Sequence, residues 1–225
     1  MSQKVVRASE VTLPEGKTFG WQPFYIDGQF VIIENPKFGR VEHVAFVDAD
    51  TNAYLYDGIR KFDGPINDDG HATPGSIFVV VEKRGWWIFK RWYLHCIEEF
   101  RPIIYDHIND IQGVKVLGFA GGFARKGEKP SEGALRELLA EQGIVVDSAS
   151  VERIGYASDN RASTETCIEI YLGKFSRKVQ AHPEGHEIIL KSVMVRIDRF
   201  KPGLDGIINS AYAMVVSHLG LVRSK

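Results

Sequence analysis

Cysteine is nearly absent from this chain, and the two that occur, Cys96 and Cys167, stand far apart and form no C-x-x-C pair. That excludes a disulfide framework or a zinc ribbon, and both thiols are expected to be reduced and buried. Excess charge of one sign is lacking too. Lys and Arg number 28 against 29 Asp and Glu, a net charge of -1, which argues against a general electrostatic grip on nucleic acid or an anionic membrane. Any phosphate site must therefore be local. No apolar run approaches the ~18–20 residues of a spanning helix, and no long apolar run follows the first seven residues, so the cytoplasm is the expected compartment. Internal repeats and low-complexity stretches are missing as well.

What is present is an ordinary globular composition: 225 residues, 44% hydrophobic and 25% charged, with 22 glycines. A chain of this length buries about 70% of the surface it exposes when unfolded and needs no covalent staple. Residues 18–56 carry the signals of short strands. Phe24-Tyr25-Ile26 and Gln29-Phe30-Val31-Ile32-Ile33 are split by Asp27-Gly28, a favoured two-residue hairpin turn. His43-Val44-Ala45-Phe46-Val47 and Ala53-Tyr54-Leu55-Tyr56 make a second pair. The turn between them, Asp48-Ala49-Asp50-Thr51-Asn52, begins like a calcium loop but has Ala53 where Gly is needed and Ile59 where Glu is needed. It reads as a turn with solvated carboxylates.

Residues 62–75 (F-D-G-P-I-N-D-D-G-H-A-T-P-G) are rich in turn formers. They place a boundary near residue 72, with a small β-rich unit at 1–72 and a larger domain at 73–225. In the larger domain, residues 76–82 read as a buried strand and Trp86 to Tyr93 as its returning partner after a Lys83-Arg84-Gly85 turn. Four basic residues interleave with three tryptophans in that hairpin, a composition found where single-stranded nucleic acid stacks. With neutral net charge, a half-buried aromatic hairpin is the preferred reading. Phe100-Arg101-Pro102 and a polar stretch to Gly113 follow, then a strand from Val114 to Phe119.

The stretch from Gly122 to Ile144, G-F-A-R-K-G-E-K-P-S-E-G-A-L-R-E-L-L-A-E-Q-G-I, organises the rest. A glycine-rich loop enters a helix near Pro130 and Ser131, and Gly143 suits its end. Leu135, Leu138 and Leu139 are expected to pack inward. Glu137 and Glu141 are four apart, so both carboxylates leave one helix face about a turn apart, which suits a hard cation. Beyond it come strands at 152–156 and 167–172, an acidic loop from His182 to Glu187, a strand at 188–197, and a helix at 206–219 with apolar residues at 208, 211, 212, 215 and 219. His182 and His186 have zinc-helix spacing, but Pro183 and Gly185 make such a helix improbable.

The 122–144 stretch resembles the Nudix box. Gly122, Glu128, Arg136, Glu137, Leu138, Glu141, Gly143 and Ile144 fall in register, and Ala140 stands where the first of two adjacent glutamates is expected. Phe100-Arg101-Pro102 and Phe119-Ala120-Gly121 resemble the segments that precede the box in the ADP-ribose pyrophosphatase branch, with Phe119 replacing a proline. The proline usual in that branch some way past the box is missing between Ile144 and Pro183.

The resemblance implies an α/β/α sandwich around a mixed sheet, preceded by the small β-rich unit, and a metal-dependent pyrophosphohydrolase using Mg²⁺ or Mn²⁺. It implies Glu137, Glu141 and the Gly121 carbonyl as metal ligands and Arg136 as the residue that orients a glutamate. Glu128 would brace the loop at the substrate, Arg101 would bind substrate, and Glu187, ahead of Glu184, would be the base from the late acidic loop. The expected substrate is a nucleoside diphosphate linked to another moiety, of the ADP-ribose or nucleotide-sugar type, and the N-terminal unit would pair two copies as a homodimer. Ala140 and the missing proline leave a second reading open, a degenerate domain that binds such a ligand without cleaving it.

Overall fold

The computed structural model describes residues 3–7, 10–17, 25–26, 29–30, 33–35, 39–63, 73–106, 111–158, 167–183, 189–201, 203 and 205–221. The chain divides into two units, the first within Met1–Thr73 and the second made of Pro74–Asp159 and Cys167–Lys225.

In the first unit, β1 (Gln3–Arg7) and β4 (Ile33–Asn35) share one edge of β5 (Gly39–Asp48), and β6 (Tyr54–Asp63) takes the other. All these pairings are antiparallel. Val44, Ala45 and Val47 are buried. The β5–β6 turn is closed by Asp48, whose Oδ1 accepts from the Thr51 N–H at 2.9 Å and the Asp50 N–H at 3.1 Å. An Asx turn of this kind explains the acidic turn without a cation. The short strands β2 (Tyr25–Ile26) and β3 (Gln29–Phe30) pair antiparallel, while Asp27-Gly28 lies outside the described residues.

The second unit is built on β7 (Gly75–Arg84), β8 (Arg91–Asp106), β9 (Ile111–Gly118), β10 (Ala120–Phe123), β11 (Ile144–Val146), β12 (Glu152–Ala157), β13 (Ile168–Lys178) and β14 (Ile189–Arg196). They form one sheet in the order β11-β13-β7-β8-β14, with β10 also on β7, β12 on β13 and β9 on β8. The β13–β7 pairing is parallel and the others antiparallel, so the sheet is mixed.

Strand β7 sits at its centre and is apolar on both faces, because each face is covered by a helix. Phe78 and Val80 pack with Ala134 and Leu138 of α1 (Pro130–Glu137) and the turn that follows it. Their neighbours Val79 and Val81 point the other way and pack with Ile208, Ala211 and Val215 of α2 (Gly206–His218). The arrangement is the expected α/β/α sandwich. Asp205 caps α2 by accepting from the Ile207 and Ile208 N–H groups at 2.9 and 3.0 Å. No helix among the described residues is long and apolar enough to cross a membrane.

Three expectations are corrected. The strand expected from Trp86 begins at Arg91 instead, after a 3₁₀ turn at Trp87–Phe89, and Trp86 and Trp87 stand in water rather than half-buried. Where a polar stretch to Gly113 and a strand from Val114 are expected, β8 runs on through Phe100-Arg101-Pro102 to Asp106 and β9 begins at Ile111, their register shifting between Arg101 and Tyr105. A proline, which has no N–H to give to a ladder, is tolerated at such an irregularity. Cys96 is buried, its thiol pushed up to about 12 by desolvation, but Cys167 is only half-buried.

Candidate active site

The site begins where β10 turns into α1. Gly121 lies opposite Ile77 and Gly122 opposite Ser76 in the antiparallel ladder with β7. A Cβ on Gly121 would stand 2.5 Å from the Ser76 carbonyl oxygen. A Cβ on Gly122 would stand 2.9 Å from Glu137 Oε1 and 3.1 Å from its Cδ, so the first glycine of the box is there to let the Glu137 carboxylate lie against the strand.

Between β10 and α1 the loop turns through Gly127, at φ 79. It is held by Glu128, whose Oε2 accepts from the Arg125 N–H at 2.7 Å. The helix starts on Pro130, with Glu132 reaching back to the Lys129 N–H at 3.2 Å. Arg136, two turns into the box helix, returns to this loop. Its Nε donates to Glu128 Oε1 at 3.0 Å and its Nη2 to Glu128 Oε2 at 3.1 Å, while Nη2 also donates to the Phe123 carbonyl at 3.2 Å. The third nitrogen, Nη1, donates to Glu137 Oε1. One guanidinium thus ties together the loop, the end of the strand and the helix. Its hydrogen bonds hold the Glu128 carboxyl below the usual carboxylate range, and Glu128, then Glu137, raise the guanidinium's own ionisation.

After Glu137 the helix widens into a π-helical turn at Leu138–Gln142 and stops at Gly143, in the left-handed region at φ 62. Such widened turns recur at functional sites. Leu138 is fully buried, but Leu139 is exposed, contrary to its expected inward packing. Its place on the inner face is taken by Gln142, four residues past Leu138. Gln142 is 1% exposed, and neither amide atom has a hydrogen-bond partner.

Glu137 and Glu141 are 8% and 6% exposed. Arg136 already compensates the Glu137 carboxylate, and the two buried carboxylates one turn apart leave room for a divalent cation as well. The donors that the resemblance names, the two carboxylates and the Gly121 carbonyl, are all hard oxygens, which suit Mg²⁺ or Mn²⁺ rather than a softer ion. Among the described residues no group of three or more His, Cys, Asp or Glu could hold a metal by itself, so water and the substrate's phosphates would complete the shell.

For Arg101 the described part is its backbone, in β8 opposite Val114. Glu184 and Glu187 lie outside the described residues. The chain leading to them is fixed to the box helix, since the Val179 N–H donates to the Gly143 carbonyl at 2.7 Å and the His182 N–H to the Ala140 carbonyl at 2.8 Å. Ala140 is therefore the point where the late loop leaves the helix.

One acidic residue on this face escaped the sequence reading. The parallel register sets Glu169 of β13 beside Ser76, which itself stands beside Gly122. Glu169 accepts from the Tyr171 hydroxyl and pairs with Arg153 at 3.5 Å, and burial, with help from Glu169, pushes the Tyr171 phenol up to about 12. Tyr171 packs with Phe78, Ala134 and Leu138, which puts Glu169, two residues before it, on the α1 face too. Nothing in the linear sequence signals this, because it depends on strand order.

No protein-family model matches the chain, and no curated protein matches it. Among solved structures, the crystal structure of an ADP compounds hydrolase matches 85% of this chain and 94% of that one, with a TM-score of 0.55 and 16% sequence identity. The two share a fold. At that identity the likeness extends to the sandwich and not to the chemistry.

Proposed function

We propose that the chain is a divalent-metal-dependent hydrolase of the Nudix type, cleaving the pyrophosphate of a nucleoside diphosphate that carries a second moiety, such as ADP-ribose or a nucleotide sugar. The observation that carries this reading is Arg136. It gathers Glu128, eight residues before it, and Glu137, the next residue, into one constellation beside Gly122, with Glu141 on the same helix. An ordinary surface helix has no need of a glutamate buried against a glycine strand. The shared fold with an ADP compounds hydrolase supports the same reading.

A bound Mg²⁺ or Mn²⁺ supplies charge neutralisation at the phosphoryl oxygens and a water that ionises near neutral pH. Glu137, Glu141 and the Gly121 carbonyl would hold it. Arg136 fixes the rotamer of Glu137, and Glu128 fixes Arg136 and the loop, so the carboxylates need little rearrangement when substrate arrives. Arg101 is assigned to the substrate. Glu187 is assigned as base, on a loop whose root is bonded to Ala140.

A second reading has its own observation: Ala140 replaces a carboxylate, and no group of three acids forms among the described residues. A ligand-binding domain without turnover would look the same there. Incubating the purified protein with Mg²⁺ or Mn²⁺ and a panel of ADP-ribose, dinucleotides and nucleotide sugars separates the two. Two monophosphate products from at least one substrate support the hydrolase, and calorimetric binding with no product supports the binder.

A further inference from the structure

The hairpin between β7 and β8 ends in a tip that the chemistry above does not use. Trp86, Trp87 and Phe89 there are 91%, 87% and 69% exposed. The tip is held in shape: the Phe89 N–H donates to the Trp86 carbonyl at 3.0 Å, and Gly85 takes φ 114, where a Cβ would strike the Phe89 carbonyl oxygen at 2.6 Å. Trp87 itself adopts φ 52, a region that bulky residues avoid. Across the hairpin Arg84 stands directly opposite Arg91, and like charges in that relation destabilise a strand pair. Rings in water, a left-handed tryptophan and facing arginines are three local costs at one place, and a feature kept against such costs points to function.

The chemistry of the partner follows from what flanks the rings. Residues 82–91 hold four cations, Lys83, Arg84, Lys90 and Arg91, against one carboxylate, Glu82. Glu82 is engaged by Arg84 at 2.6 Å and by His95 at 2.9 Å. At the base of the tip Lys90 and Arg91 line a cavity of about 320 Å³ together with Arg196, which is paired with Asp198. Aromatic rings with an apolar body and a polar edge, ringed by Lys and Arg, are the composition of an interfacial membrane anchor.

We propose that this tip docks the protein onto an anionic lipid surface. Trp86, Trp87 and Phe89 enter the headgroup region, and Lys90 and Arg91 meet the lipid phosphates. The net charge of -1, which argues against membrane binding for the chain as a whole, averages over a surface whose one protruding point is basic. A second copy of the chain is a poorer occupant. A two-fold contact would set the cations against themselves, and three rings of roughly 150–250 Å² each do not supply the ~800 Å² per partner of a stable pair. Single-stranded nucleic acid is usually bound along a groove, and this is a convex tip. The ten-residue β7 separates Gly75, at the site, from Arg84, at the tip. At ~3.3 Å per residue that is on the order of 30 Å, so a docked protein keeps its site open to soluble substrate.

The test is co-sedimentation of the full chain with vesicles of phosphatidylcholine alone or mixed with phosphatidylserine. The expected result is binding to the mixed vesicles only, weakened by salt, with a blue shift of tryptophan emission. A Trp86→Ala/Trp87→Ala variant and a Lys90→Glu/Arg91→Glu variant should each partition roughly tenfold less while keeping the wild-type circular dichroism. No binding to the mixed vesicles, equal binding to phosphatidylcholine alone, or variants that bind like the wild type would overturn it. So would a concentration-dependent dimer, or binding of a single-stranded oligonucleotide, that the tip variants abolish while vesicles go unbound.

Discussion

Arg136 grips Glu128 through two parallel hydrogen bonds, Nε to Oε1 at 3.0 Å and Nη2 to Oε2 at 3.1 Å. Bidentate geometry of this kind is stronger than a point-charge contact and is not reproduced by lysine. Neither side chain is more than a quarter exposed. Glu128→Gln should lower stability by about 1.5–3 kcal/mol, the range for losing a hydrogen bond to a charged group, as read by urea denaturation at neutral pH.

The same pair sets a pH dependence. The carboxyl of Glu128 is depressed in the folded protein, chiefly by Arg136, from its ordinary value of 4.5. Its contribution is therefore complete above 4.5 and is lost as pH falls through the lower folded value. The gap in stability between the wild type and Glu128→Gln should narrow below pH 4.5, and a gap that stays constant down to acid unfolding would contradict the assignment.

Gly122→Ala places a methyl carbon 2.9 Å from Glu137 Oε1. The neighbour that must give way is the end of a side chain and not backbone, so the fold should survive with little change in melting temperature. The carboxylate should not keep its position, and hydrolysis should fall on the order of a hundredfold, as for other small displacements of catalytic groups. Comparing turnover with thermal melting separates the two effects.

Gly143→Ala should behave in the opposite way. Here φ is 62 and the added Cβ meets backbone, the Val179 carbonyl oxygen at 2.2 Å and the Ala181 nitrogen at 2.9 Å. Left-handed strain and overpacking together should cost about 2–5 kcal/mol, measured as a shift of the denaturation midpoint.

The contrast between these two glycines shows what could be read from the chain alone. Whereas Gly122, Glu128 and Arg136 joined Glu137 and Glu141 only through the resemblance to the Nudix box, the pairing of those two glutamates was legible because helix geometry is local and residues four apart must share a face. The stripe at 208, 211 and 215 was legible for the same reason, and all three residues are buried in α2. Tertiary relations were not legible. That Gly143 abuts Val179, that Glu169 shares a sheet face with Gly122 through Ser76, and that Pro102 sits at a shift of register inside β8 all depend on strand order. The tryptophans at the β7–β8 tip were assigned to a half-buried strand on aromatic propensity, and the glycine turn carries them into water instead.

Ala140→Glu distinguishes a sufficient site from a lost one. The Ala140 carbonyl already accepts from the His182 N–H at 2.8 Å, so the loop should stay in place when the side chain changes. With Glu137 and Glu141 sufficient, the substitution should alter the preference between Mg²⁺ and Mn²⁺ more than the rate. Hydrolysis appearing in the variant and absent from the wild type would instead mark the wild type as a binder.

The most direct test of the central claim is the release of phosphate monoesters from ADP-ribose by the wild type, Glu137→Gln and Glu141→Gln, with Mg²⁺ and Mn²⁺ titrated to saturation at neutral pH. The account predicts two monophosphates from the wild type and a loss of several orders of magnitude in each variant. It also predicts weaker metal binding by calorimetry in both, and a lower apo melting temperature for Glu137→Gln, which loses its charge-assisted hydrogen bond from Arg136. Near wild-type turnover in both variants at saturating metal would contradict it.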